Sequence, residues 1–63
     1  MKTYRLVDNY EGFKVIFESY SFRDCVNYAK YYEKVVTDGE CSLKLYKRDY
    51  DNFYYLVKDF YLF

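Results

Sequence analysis

The residues with chemistry to offer are few. Cys25 and Cys41 are the only thiols, and histidine is absent from all 63 positions. Without an imidazole there is no Ser-His-Asp or Cys-His relay, no histidine general base and no Cys₂His₂ zinc set, and two thiols alone cannot close a Cys₄ site. Carboxylates stand in pairs two apart, Asp49 with Asp51 and Asp38 with Glu40. Paired acids can divide the work of acid and base, but beside turn-forming residues they are far more often solvated turn formers. Gly12 and Gly39 stand alone, so no glycine-rich phosphate loop can be assembled. A domain this small also has little room for a pocket of several hundred Å³. The expectation is a chain with no catalytic residues, no cofactor and no metal.

What the chain does offer is rings: eleven Tyr and six Phe, more aromatic surface than one small core absorbs. Tyr suits contact surfaces because it joins a rigid apolar body to a hydroxyl that can stay wet or find an acceptor. Some of these rings are therefore expected to face a partner.

The elements that must position them read as ββαββ in a single compact domain over residues 1–63. The fold class is α+β, one helix packed on a four-stranded, mainly antiparallel sheet. Residues 2–8 and 13–20 alternate as strands around the turn formers Asp8, Asn9 and Gly12. Ser21 is placed to cap a helix, with Asp24 in its first turn. The apolar positions Phe22, Cys25, Val26, Ala29, Tyr32 and Val36 then fall on one face, and Gly39 ends the helix in a left-handed turn. Residues 41–48 alternate again, Asp49 to Asn52 turn the chain, and residues 53–63 are apolar on both alternating faces. That last pattern predicts a strand covered on both sides, with the tail Phe60 to Phe63 folding back or docking elsewhere. Cys25 and Cys41 both point inward and read as free buried thiols.

A chain this short buries only about 60% of its unfolded surface and needs support, from a disulfide or from a second subunit. One helix covers one face of the sheet, so the other face has nothing in the chain to bury it. By strict alternation that open face carries Arg5, Val7, Lys14, Ile16, Glu18, Lys44, Tyr46, Arg48, Tyr54, Leu56 and Lys58. Cations outnumber acids there although the whole chain is formally neutral. Tyr10 and Tyr50 stand at the two hairpin tips. In the helix, Tyr32 belongs to the core stripe while Tyr28 and Tyr31 flank it and cover the seam with the sheet.

Two functional readings follow. The leading one is a small protein-binding module, homodimeric, that occludes a surface of a larger protein through Arg5, Ile16, Lys44, Tyr46, Arg48, Tyr54, Leu56 and Lys58, with Tyr10 and Tyr50. The second is single-stranded nucleic-acid binding, because bases stack on rings and phosphates pair with Lys and Arg. Neutral net charge and acidic turns weigh against it. The N-terminal segment has no apolar run long enough for a signal-peptide core or a membrane span, so a cytoplasmic protein is expected. Tyr, Phe, Lys, Asn and Asp have AT-rich codons, and proline is absent. In composition alone the chain is similar to short accessory proteins of phages and mobile elements, which would make it an inhibitor of a host defence enzyme.

Overall fold

The computed structural model describes residues 3–60. The expected onset of the first strand at Lys2, and the course of Tyr61, Leu62 and Phe63, lie outside them. The elements are β1 (Tyr4–Asp8), β2 (Lys14–Ser19), α1 (Phe22–Tyr31) continued by one wide turn (Tyr32–Val36), β3 (Leu43–Arg48) and β4 (Tyr54–Asp59). The order ββαββ is the one the sequence predicts. Among the described residues the strands pair antiparallel, in the order β2-β1-β3-β4. Two local hairpins are thus joined through β1 and β3 at the centre of the sheet.

The helix begins where its cap predicts, with the Asp24 amide donating to Ser21 Oγ over 3.2 Å. Its end is less regular. The Thr37 amide donates to the carbonyl of Tyr32, five residues back, so the last turn is a π-turn. The Gly39 amide then reaches the Glu33 carbonyl over 2.7 Å with Gly39 at φ +89°, a left-handed closure that a glycine adopts without strain. Widening the turn rotates Val36 off the apolar stripe into solvent, while Cys25, Ala29 and Tyr32 stay buried. Phe22, also expected in the stripe, is half exposed and meets Tyr4 edge-on at 5.7 Å.

The core is Leu6, Cys25, Ala29, Tyr32, Cys41, Leu43 and Leu45, with Ile16, Phe17, Tyr28 and Phe60 packed against it. Phe60 therefore folds back onto the chain's own core. Both cysteines are buried free thiols.

Each outer strand carries one extra residue. In β1–β2 the register passes from Leu6 opposite Phe17 to Val7 opposite Val15, leaving Ile16 as a bulge. In β3–β4 it passes from Leu45 opposite Lys58 to Tyr46 opposite Leu56, leaving Val57 extra. Past a bulge every side chain changes face, because the side-chain period of a strand is two.

The last strand departs from expectation. Its two apolar faces predict cover on both sides, but β4 is an outer strand, and the helix packs on β1 and β2 instead. Tyr55, Leu56 and Val57 are all exposed.

Candidate functional site

The open face is built by register. Arg5 on β1 stands opposite Glu18 on β2 and Tyr46 on β3, and Tyr46 stands opposite Leu56 on β4. In the next rows Val7 lies between Val15 and Lys44, and Arg48 faces Tyr54. Side chains directly opposite in an antiparallel pair share a face, so Arg5, Lys44, Tyr46, Arg48, Tyr54 and Leu56 are brought together as expected.

The two bulges correct the rest. Ile16 packs against the core and leaves the open face. Lys14, now opposite Asp8, turns to the helix side, and Lys58 stands opposite the buried Leu45 with its Nζ 5.2 Å from the Phe60 ring centroid. In their place the face gains Val15, opposite Val7, and Asp59, opposite Lys44. Phe13 joins it, its ring 6.4 Å from that of Tyr46. Alternation alone could not find these residues, since nothing in the residue types marks Ile16 or Val57 as extra.

The corrected face is more apolar and less basic. Phe13 is 65% exposed and Leu56 48%, while Val7 beneath them is fully buried. Arg5 Nε donates to Glu18 Oε2 over 3.0 Å, and the guanidinium sits 4.2 Å from the Tyr54 ring centroid. A guanidinium between a carboxylate and a ring face is held by charge and by the ring quadrupole together. Both partners of the ion pair are solvent-accessible, so it fixes geometry more than it stabilises.

Tyr10 and Tyr50 are not brought together. β1 and β3 run antiparallel, with Tyr4 opposite Lys47 and Asp8 opposite Leu43, so the two tips project from opposite ends of the sheet. Both rings are exposed, that of Tyr50 completely. Tyr28 stacks on Phe17 at 4.4 Å and touches Tyr31 and Tyr32, which makes it the lid of the helix–sheet seam.

At the Tyr10 end lies a polar cluster that the sequence hides. Asp8, a turn former by type, is the buried last residue of β1. Its Oδ1 accepts from the amides of Tyr10 and Ser42, and its Oδ2 accepts from the Tyr32 hydroxyl, each over 3.0 Å. Burial pushes this carboxyl up, but those donors and the charge of Lys14 outweigh it and hold it below the ordinary value. Burial, and then the bond to Asp8, pushes the Tyr32 phenol up. A carboxylate so held is a weak base, and the phenol is already spent on it, so the pair ties elements together and is not poised for proton transfer. The only sequence signal is the offset from Asp8 to Tyr10, which fits a side chain accepting from the amide two residues on.

Two surface depressions contradict the expectation of no room. One, of about 380 Å³, is floored by Asp8 and Tyr32 and walled by Tyr10, Lys14, Thr37 and Glu40. The other, of about 520 Å³, lies at the β3–β4 tip beside Lys47, Tyr50 and Tyr55. No family model, curated protein or solved structure matches this chain. Among the described residues no cluster of acidic or thiol groups is set to hold a metal ion, and no helix is long and apolar enough to cross a membrane.

Proposed function

We propose that this chain is a non-catalytic protein-binding module, working as a homodimer, whose open sheet face occludes a surface of a larger protein. The observation that carries the reading is the patch of exposed Phe13, Val15 and Leu56 beside half-buried Tyr46 and Tyr54, which no other described element covers. Contiguous apolar surface rimmed by charge is costly on a monomer and typical of interfaces. The abundance of Tyr, Phe, Lys, Asn and Asp, residues with AT-rich codons, supports a phage or mobile-element source, in which case the occluded protein is a host enzyme.

The nucleic-acid reading loses support with the register. Lys14 and Lys58 turn away and Asp59 turns in, so Arg5, Lys44 and Arg48 face Glu18 and Asp59 on a neutral chain. Little long-range attraction for phosphate is left.

The test compares affinity captures with wild type, Val15→Lys and, on the outer helix surface, Lys30→Glu. A protein retained by wild type and Lys30→Glu but lost with Val15→Lys supports the reading; one retained by all three sinks it. A short single-stranded oligonucleotide at low salt is the counter-probe. Binding that falls with added salt and with Lys44→Ala and Arg48→Ala would put nucleic acid in the partner's place.

A further inference from the structure

The cavity at the Tyr10 end of the sheet has walls that agree on one kind of occupant. Its volume of about 380 Å³ is at the lower end of what small ligands use. Among the described residues three carboxylates line it, Asp8 on the floor with Glu11 and Glu40 above, against one cation, Lys14. Three acids less one base leave two negative charges here, on a chain that is neutral as a whole.

Two further features have the same sign. The helix and its wide last turn end at the cavity, where Tyr32, Val36 and Thr37 line it, and the carboxyl end of a helix carries partial negative charge. On the floor, Asp8 takes two bonds on Oδ1 and one on Oδ2, while a carboxylate offers about four acceptor positions. One position on Oδ2 is left over for another donor. The walls also have apolar surface, from exposed Tyr10 and Val36, which suits the methylene stem behind a charged head.

We propose that this cavity receives a guanidinium or ammonium group on an alkyl stem, supplied by an arginine or lysine side chain of the larger protein. The cavity adjoins the open face: Gly12 lines it, and Phe13, the next residue, lies on that face beside Tyr46. A protein seated on the face therefore reaches the cavity by passing round the β1–β2 turn. Only the source of the group rests on the functional reading above; the preference for a cation belongs to the walls.

The experiment follows amide shifts by NMR while the folded protein is titrated with agmatine, with N-acetyl-arginine methylamide and with glutarate, a dianion. Expected are saturable shifts at Tyr10, Gly12 and Ser42 with both cations, at dissociation constants of about 1 mM for probes this small, and none with glutarate. Glu11→Gln and Glu40→Gln should each raise the constant about threefold. Asp51→Asn, which removes the same charge at the far hairpin tip, should leave it unchanged. Glutarate bound at the same amides, a loss as large in Asp51→Asn, or no saturation with either cation overturns the cation site. Saturation by agmatine but not by the blocked arginine overturns the side chain as the source and puts a free polyamine in its place. The capture with Val15→Lys reads the open face and none of these shifts, so the cavity and the face fail separately.

Discussion

The Tyr32 hydroxyl donates to Asp8 Oδ2 over 3.0 Å, and that one bond ties the end of the helix to the end of the first strand. Through its other oxygen Asp8 also holds the amides of Tyr10 and Ser42, so a single carboxylate fastens the β1–β2 turn, the π-turn and the approach to β3.

Removing one arm of this knot is expected to cost less than removing its hub. Tyr32→Phe takes away one donor and should cost about 1–2 kcal/mol, whereas Asp8→Ala strands a buried hydroxyl and two amides and should cost about 3 kcal/mol. In a domain with roughly 5 kcal/mol to spare, the second change leaves a chain close to unfolding. Urea melts of the two variants give the order; equal losses would show that the carboxylate does not act as a hub.

Stability should fall away at both ends of the pH scale. Because the folded Asp8 carboxyl lies below its ordinary value, its contribution is fully present above about pH 4 and is lost as pH falls through the folded value. The Tyr32 phenol is raised, so its contribution holds below about pH 10 and is lost as pH rises through the folded value. Unfolding free energy against pH should lose much of its acid limb in Asp8→Asn and much of its alkaline limb in Tyr32→Phe. An unchanged acid limb in Asp8→Asn would move the acid sensitivity to other carboxylates.

The thiols should report on opening of the fold. Cys25 and Cys41 are buried, and burial, with the charge of Asp24, pushes the Cys25 thiol up and away from the reactive thiolate. The folded protein is expected to resist a disulfide reagent and the urea-unfolded protein to consume two equivalents. Fast reaction of either thiol without denaturant would mean that the helix lifts from the sheet locally.

The β2 bulge can be tested with two neighbouring substitutions. Ile16→Lys sets a charge against the core and should cost about 2–3 kcal/mol, while Val15→Lys lies on the open face and should stay within about 0.5 kcal/mol. For a domain of this size the first corresponds to a melting temperature lower by about 10 °C or more. The reverse order would restore uninterrupted alternation.

Local signals were legible where one residue type has one physical use. Ser21 before Phe22 caps because its hydroxyl meets an orphan amide, and Gly39 closes the helix because only a residue without Cβ takes that φ cheaply. Alternation gave four strands, and Cys25 and Cys41 read correctly as buried thiols. Face assignment was legible only as far as the first bulge on each outer strand: Ile16 and Val57 are ordinary strand residues, and their displacement is decided by pairing across the sheet. The two-sided apolar pattern of β4 predicts burial, but where a helix lies is set by the seam it packs on, and Phe17, Tyr28 and Leu6 draw it over β1 and β2. The role of Asp8 is hidden in the sequence because its type favours turns and its burial depends on Tyr32 and Ser42, distant in sequence.

The strand order also sets a timetable. Each hairpin closes between sequence neighbours, but the seam at the centre of the sheet pairs Tyr4 with Lys47, far apart in the sequence. During synthesis β1, β2 and the helix emerge first with no β3 to pair, and Leu6, Cys25 and Ala29 wait exposed until Leu43 and Leu45 arrive. Contacts between distant residues are slow to form because loop closure must precede any gain from them. Folding is therefore committed only once β3 has left the ribosome, and the first hairpin with its helix is the species that chaperones would meet.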